Sequence, residues 1–237
     1  MKNKIVCNIP HANTMIPDWA IKDMLVSRQA LADLVDFMVD KEVDKLWGFV
    51  PTEYKQTASM SRLVLDVERF RKDEDEPMSA KGMGLYYTHT PEGKPFRLKS
   101  ADTYRRVLFV YEQYHKALEE KVARCLRENG QCILLDCHSF HDGMAYTDYR
   151  VESFPDVCIG VNGSVSPTAQ RVVEIFKEHG YTVKINEPFS GTLIPLKYLH
   201  DERVEGVMIE LNRRIYEGAS FEKVRAICKE IFEKLNG

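Results

Sequence analysis

The sequence has no pair of closely spaced cysteines, although it contains six cysteines in all. The absence of a CxxC pair argues against a zinc site built from neighbouring thiolates. Most of the cysteines lie in apolar runs, where we expect reduced and buried thiols. Cys137 stands beside a histidine, but a nucleophilic thiol needs an adjacent base and some exposure, so we expect a core residue there too.

Long apolar runs and clusters of one charge are also missing. No apolar stretch approaches the ~20 residues that a membrane-spanning helix needs. The formal net charge is −3 and the basic residues are scattered, so we expect neither nucleic acid nor a membrane surface as a partner. The N-terminus, MKNKIVCNIPH, lacks the apolar core of a secretion signal, which predicts a cytoplasmic protein.

The chain of 237 residues is long enough for one large α/β domain, and we predict a single domain over residues 1–237. Apolar runs typical of strands alternate with segments of helical spacing. Because the strands lack polar alternation, we expect a mostly parallel sheet with helices on both faces. The predicted strands are residues 4–9, 63–67, 132–135, 157–161, 181–185 and 207–211, and the predicted helices are 24–47, 103–129, 166–180 and the segment after Ser220.

Several predicted strands end in a polar residue that a buried strand does not need. The first leads to His11, another to Asp136 and His138, and a third to Glu210. In open α/β sheets, ligands bind beyond the carboxyl ends of the strands, so these side chains can meet there. Histidine and carboxylate form a common zinc ligand set, and Asp136 could orient the imidazole of His138. We expect three further histidines, His89, His179 and His200, to be ordinary surface residues.

A third metal ligand is harder to find from the sequence. An HxxE pattern after His11 would need glutamate where Thr14 stands, and His141 is a weak candidate because it leaves the same loop as His138. Three aspartates recur every four residues on one face of the predicted helix. These are Asp36, Asp40 and Asp44, of which we expect Asp36 and Asp44 to form a solvated acidic face.

Glu210 is the strongest candidate for a general base. Its neighbours are apolar, and partial desolvation of its carboxylate suits acid–base work. A structural alternative is an ion pair with Arg213 or Arg214. Arg62 and Arg69 flank an apolar run, and a guanidinium group can hold a substrate carboxylate through two parallel hydrogen bonds.

Nine segments, in this order, resemble the N-formylglutamate amidohydrolases. The resemblance extends from about residue 5 to residue 216 and implies the fold of the related zinc carboxypeptidase and aspartoacylase group, a mixed sheet between helices. The segments are IPHANTMIP, VDKEVDKLW, SRLVLDVER, GLYY, YEQYHKAL, LLDCHS, CIGVNG, NEPFSGTLI and VMIELNRRIY.

The resemblance also implies an activity and a set of site residues. The activity is hydrolysis of the amide bond of a small N-acyl amino acid such as N-formylglutamate, with one zinc ion as cofactor. The implied residues are His11, Asp40 and His138 as metal ligands, Asp136 behind them, Glu210 as general base, Arg62 as a catalytic residue, and Arg69, Asn162 and Asn186 as substrate contacts.

Two departures from the family pattern leave alternatives open. A motif usually read as DLNR is DVER here, with Glu68 in the place of asparagine, and the first motif reads PHAN where glycine is common in the last place. A carboxylate at position 68 could repel an acidic substrate. The alternatives are a zinc carboxypeptidase or deacylase acting on another small amide or peptide, and a catalytically silent binding protein of the same fold.

Overall fold

The computed structural model describes residues 3–142 and 154–237. The chain divides into two compact units. The sheet unit comprises Met1–Ile9, Glu42–Gln56 and Leu118–Gly237, and the loop-rich unit comprises Pro10–Lys41 and Thr57–Ala117. The single domain expected over residues 1–237 stays a prediction.

The regular elements are distributed unevenly between the units, because most strands belong to the sheet unit. The strands are β1 Ile5–Ile9, β2 Lys55–Thr57, β3 Cys132–Phe140, β4 Val157–Gly160, β5 Val183–Ile185 and β6 Val204–Asn212. The α-helices are α1 Asp18–Ile21, α2 Arg28–Met38, α3 Val43–Leu46, α4 Ala101–Asn129, α5 Pro167–Glu178 and α6 Phe221–Asn236.

The strands of the described residues form one six-stranded sheet in the order β2-β1-β3-β6-β4-β5. β1, β3 and β6 run parallel, whereas β4 runs antiparallel to β6 and parallel to β5. The sheet is therefore mixed and mostly parallel, as predicted. β3 lies between two parallel neighbours, and all nine of its residues are buried.

Helices cover both faces of this sheet. Val6 and Leu134, on neighbouring strands, pack against Leu118 and Val122 of α4. Cys7 points to the opposite face from Val6, because side chains alternate along a strand. On that face, the thiol of Cys7 lies near the thiol of Cys228 in α6. Burial, and after it the presence of Cys7, raises the pKa of Cys228 above its usual value. The predicted two-sided α/β arrangement is confirmed.

Local signals predicted the ends of two helices well. α5 begins at Pro167, and the hydroxyl of Ser166 accepts a hydrogen bond from the N–H of Ala169 at 3.0 Å. α4 ends one residue before Gly130, whose φ of 76° lies in the left-handed region. α6 begins at Phe221, directly after Ser220 as predicted, but the side chain of Ser220 makes no capping hydrogen bond within the described part of the chain.

The predicted helix over residues 24–47 is wrong as a single element. α2 ends at Met38, the backbone is extended at Val39, and Glu42 adopts a left-handed conformation with φ of 58° before α3 begins. The three aspartates therefore do not share a helix face. Asp40 lies buried in the break, whereas Asp36 and Asp44 are exposed, as expected for those two.

The predicted strand over residues 63–67 is also absent, and the segment forms turns in the core of the loop-rich unit. Two of its backbone carbonyls accept hydrogen bonds from one arginine side chain instead of from a neighbouring strand. Arg97 donates to the carbonyl oxygens of Leu63 and Val64 at 3.2 and 2.9 Å, and its guanidinium stacks 3.5 Å from the centre of the Tyr86 ring. Among the described residues, no helix is both long and apolar enough to cross a membrane.

Candidate functional site

Strand β3 carries two of the predicted site residues, Asp136 and His138. Both lie within the strand, so the expectation that they stand beyond its end is wrong: β3 continues to Phe140. Glu210 likewise lies inside β6, two residues before its last residue, Asn212. His138 and Glu210 are direct partners in the parallel register, so their side chains emerge on the same face of the sheet.

A carboxylate stands behind the imidazole of His138. His138 Nε2 lies 3.2 Å from Asp136 Oδ1. The other contacts of Asp136 are the side-chain amide of Asn8, which donates at 2.8 Å, and the N–H of Leu193, which donates at 3.0 Å. Burial tends to raise the pKa of Asp136, but the charge of His138 and these hydrogen bonds hold it below the usual range. Asp136 is thus an ionised group that fixes how the ring of His138 is turned.

A second imidazole in the loop-rich unit has the same kind of support. His11 Nε2 lies 2.8 Å from Asp66 Oδ1, and His11 Nδ1 lies 3.7 Å from Asp40 Oδ2. The backbone N–H of Asp40 also donates to the carbonyl of His11 at 3.0 Å. Since a carboxylate can only accept, Asp66 accepts a hydrogen from Nε2, while Nδ1 faces the second carboxylate, Asp40.

Asp66 connects His11 to a larger group of charges. Arg62 Nη2 donates to Asp66 Oδ2 at 2.9 Å, the hydroxyl of Tyr87 donates to the same oxygen at 2.6 Å, and Arg69 Nε lies 3.6 Å away. Burial would raise the pKa of Asp66, but the charges of His11 and Arg62 hold it well below the usual range. We call the residues linked by these ion-pair distances the His11 cluster: His11, Asp40, Arg62, Asp66, Glu68, Arg69 and Glu76.

Arg69 is held in place from several sides. Its Nη1 lies 3.5 Å from Glu76 Oε1, and the hydroxyl of Tyr111 donates to its backbone carbonyl at 3.1 Å. Burial tends to lower the pKa of Arg69, but the neighbouring Tyr87 and Asp66 raise it, so the guanidinium remains charged. Glu76 in turn accepts the N–H of Phe70 at 3.1 Å, which fixes the turn around Arg69.

Asp66 and Tyr87 are residues that the sequence reasoning missed. An acidic residue inside the apolar run LVLDV was the available signal, because a buried carboxylate needs a specific partner. That run was interpreted as a strand, which gave Asp66 no reason to meet His11. Tyr87 offered no signal of its own, since its neighbours in GLYY are also apolar or aromatic.

The two predicted asparagines bond to the backbone of the sheet unit. The side chain of Asn162 accepts from the N–H of Thr192 at 3.1 Å and donates to its carbonyl at 3.0 Å. Asn186 accepts from the N–H groups of Val161 and Gly191 at 2.9 and 3.2 Å. Both amides therefore fix loops, and their role as substrate contacts stays a prediction.

Other polar residues have the surface or structural contacts expected of them. His179 Nε2 lies 2.8 Å from Glu230, and His89 bonds to the hydroxyl of Thr88 at 2.9 Å. The alternative ion pair of Glu210 with Arg214 is not formed among the described residues, because Arg214 bonds to Asp142, Asp156 and the carbonyl of Phe154.

The donor atoms at His11 suit a divalent metal ion. Ligands of a tetrahedral zinc ion lie about 3.5 Å from one another, since each is ~2.0–2.2 Å from the metal. His11 Nδ1 and Asp40 Oδ2, at 3.7 Å, are close to that spacing, and both side chains are almost fully buried. The two residues belong to a group of histidine and aspartate side chains that could hold a metal ion.

Comparisons with known proteins agree on one family. The N-formylglutamate amidohydrolase family matches residues 3–217. An N-formylglutamate deformylase from Pseudomonas aeruginosa is 28% identical, over 98% of this chain and 92% of that protein. A crystal structure of N-formylglutamate amidohydrolase from Ralstonia eutropha JMP134 shares the fold with a TM-score of 0.84 at 22% identity, over 99% and 93% of the two chains.

A gene product from Agrobacterium tumefaciens has a related fold, with a TM-score of 0.68 at 18% identity over 98% and 89% of the two chains. At this identity and that of the Ralstonia protein, the likeness concerns the fold alone. The family match is independent of it and includes every predicted site residue, from His11 to Glu210. The chain therefore belongs to the N-formylglutamate amidohydrolase family.

Proposed function

We propose that this protein is a metal-dependent hydrolase that cleaves the amide bond of an N-formyl amino acid, with N-formyl-L-glutamate as the reference substrate. One observation carries the proposal. Two buried imidazoles, His11 and His138, each present Nε2 to a buried aspartate, Asp66 and Asp136 respectively. A carboxylate behind an imidazole is the usual support of a metal-binding histidine.

In this proposal one zinc ion is held by His11, Asp40 and His138. Imidazole nitrogen and carboxylate oxygen are ligands that zinc accepts readily, and three protein ligands are typical of catalytic zinc. When bound, zinc lowers the pKa of a water molecule toward ~7 and polarises a carbonyl group. Asp136 and Asp66 would keep the two rings in the orientation that binding requires.

Glu210 is the proposed general base. Its carboxylate takes a proton from the attacking water and returns it to the nitrogen of the leaving amine, so both transfers use one side chain. Support comes from its place directly opposite His138 and from its burial, which limits competition by bulk solvent.

The arginines have separate proposed tasks. Arg62 stabilises the negative charge that develops on the carbonyl oxygen, and Arg69 holds the carboxylate of the substrate. Asp66 bonds to Arg62 and lies close to Arg69, which keeps both guanidinium groups in fixed positions before substrate binds. We further propose that residues 1–237 act as one domain in the cytoplasm, with a small N-acyl amino acid as the binding partner.

The test combines metal analysis with an assay of formate release from N-formyl-L-glutamate. We expect about one metal ion per chain and measurable turnover by the purified protein. Glu210→Gln should reduce kcat by at least ~10²-fold, because proton transfer by a positioned base contributes that much. Its metal content should be unchanged, since Glu210 is not a proposed ligand.

Glu202→Gln is a matched control, because Glu202 is exposed and lies just before the same strand. It should leave turnover and metal content unchanged. Near-normal turnover by Glu210→Gln would remove Glu210 from the mechanism. A protein with neither stoichiometric metal nor turnover would instead be the silent binding protein of the same fold.

A further inference from the structure

Glu68 is the acidic residue of the His11 cluster that solvent reaches most easily. Its side chain is 20% exposed, compared with 0% for Asp66, 3% for Asp40 and 5% for Glu76. Asp66 and Glu76 face arginines, and Asp40 faces the imidazole of His11. Glu68 lies near the same imidazole, but its side chain is the more exposed. Glu68 is therefore the carboxylate that a ligand approaching the cluster would meet.

The position of Glu68 places it beside the chemistry of the proposed function. Its Oε2 lies 3.9 Å from His11 Nε2. Its backbone N–H donates to Asp66 Oδ1 at 3.1 Å, so the main chain at this point is anchored to the same carboxylate that orients His11. A substrate bound beside His11 would therefore meet the carboxylate of Glu68 as well.

The charges of the cluster disfavour a second substrate carboxylate. Its two guanidinium groups, Arg62 and Arg69, already lie close to carboxylates: Arg62 bonds to Asp66, and Arg69 lies 3.5 Å from Glu76. Arg69 is partly exposed and can share its charge with one incoming carboxylate. A substrate with two carboxylates brings one more, and it would face Glu68 at short range.

We propose that Glu68 selects the substrate by charge, favouring N-formyl amino acids whose side chain is neutral and donates hydrogen bonds over those with an acidic side chain. N-formyl-L-glutamine represents the first class and N-formyl-L-glutamate the second. The two have nearly the same shape and differ by one charge, so the preference between them isolates the electrostatic contribution. This inference rests on the proposed function and specifies its substrate class.

The test measures kcat/KM for both compounds and takes the ratio of the glutamine to the glutamate value. We expect the wild-type protein to prefer N-formyl-L-glutamine. Glu68→Gln should lower the ratio about tenfold, because removing one like charge near the substrate relieves an unfavourable interaction of that order. Glu68→Ala should lower it similarly, which separates the loss of charge from any new contact made by glutamine.

Glu74→Gln is the matched control, since Glu74 is an exposed acid six residues away and outside the cluster. Its ratio should equal that of the wild type, and melting curves should show that all variants are folded. A ratio unchanged in both Glu68 variants would overturn the inference while leaving the proposed hydrolysis intact.

Calorimetric titration with the same two compounds measures the preference without turnover. Failure to hydrolyse either compound would count against the proposed function alone, because the binding ratio and its response to Glu68→Gln would still decide the inference. Equal binding of the two compounds by the wild type, or binding of neither, would overturn it.

Discussion

At the scale of single residues, Asp66 has the most consequential contacts in the loop-rich unit. It is fully buried, and it accepts from Arg62 and Tyr87 while facing the ring of His11. Burying a charge costs several kcal/mol unless its partners compensate for the lost hydration, and here a cation and two further polar groups do so. The contacts are mutually dependent, since Arg62, Tyr87 and His11 would each lose a buried polar partner if the carboxylate of Asp66 were removed.

Replacing Asp66 by asparagine should therefore destabilise the protein strongly. We expect Asp66→Asn to lower the free energy of unfolding by about 3 kcal/mol, because the buried Arg62 loses its counter-charge. Urea titration at neutral pH measures this difference. Asp75→Asn, the same change at an exposed position, should cost less than ~0.5 kcal/mol. Equal stability of the two variants would show that Asp66 is not a buried counter-ion.

Residue type and context were enough to single out His11, His138 and Glu210, because polar groups next to apolar runs need a reason to be there. They were not enough to identify Asp66 or Tyr87. The contact between Asp66 and His11 spans 55 residues and that between Asp66 and Tyr87 spans 21, and no local pattern encodes such meetings. Asp40 was chosen only through the resemblance to the family, since spacing alone gave Asp36 and Asp44 the same standing.

At the scale of elements, Asp156 joins three strands at one end of the sheet. It lies just before β4 and accepts from the N–H and the hydroxyl of Thr182, before β5, at 2.9 and 2.8 Å. Arg214, after β6, donates to it through Nε and Nη2 at 3.2 and 3.0 Å. Burial tends to raise the pKa of Asp156, but the bonds to Thr182 and Arg214 lower it below the usual value.

The stabilisation by Asp156 should depend on pH in a defined direction. Because its pKa is lower in the folded than in the unfolded protein, its contribution is present above about pH 4 and lost as the pH falls through the folded pKa. We expect Asp156→Asn to lower the free energy of unfolding by about 1–2 kcal/mol at pH 7, and by much less near pH 3.

Urea titrations of the wild type and Asp156→Asn at the two pH values measure this change. Asp142→Asn is a useful comparison, since Asp142 contacts Arg214 from a more exposed position and should matter less. A difference between wild type and Asp156→Asn that stays constant from pH 7 to pH 3 would contradict the assignment.

Helix ends were predicted correctly where the sequence contains a local stop or cap residue. Elements were predicted wrongly where tertiary packing determines the backbone conformation. Gly130 and the Ser166-Pro167 pair marked their helix ends in the sequence. The break between α2 and α3 had no such mark, because a glutamate at a left-handed position is uncommon and gives no signal. The apolar run at residues 63–67 was ambiguous, since a buried turn and a buried strand have the same composition.

At the scale of the whole molecule, the fold class could be predicted because the apolar strands lack polar alternation and are interleaved with helices. The antiparallel direction of β4 could not be predicted in this way, because the direction of pairing depends on how the intervening segments pack and not on the strand itself. The family followed from nine short motifs in order, and the family match over residues 3–217 confirms it.

Bound metal should stabilise the folded protein as a whole. A ligand that binds only the folded state at ~100 times its Kd adds about 2.7 kcal/mol, which corresponds to a rise in Tm of about 5–10 °C for a chain of this size. We expect this rise when zinc is added to protein stripped by a chelator. Differential scanning calorimetry measures it.

Two single substitutions serve as test and control for this effect. Asp40→Asn should abolish the rise, because it weakens a proposed ligand. Asp36→Asn should keep it, because Asp36 is exposed and its carboxylate lies 3.2 Å from the side-chain nitrogen of Lys41 on the surface. A full rise in Asp40→Asn would exclude Asp40 from the metal site.

The location of His138 in β3 has a consequence for how activity is lost. Exchange of backbone amides with solvent requires the hydrogen bonds of a strand to open. β3 is fully buried and is hydrogen-bonded to β1 on one side and to β6 on the other. Fraying of termini or loops does not reach such a strand. The imidazole of His138 therefore keeps its place until the sheet itself unfolds, so its position should be lost in one cooperative step on heating.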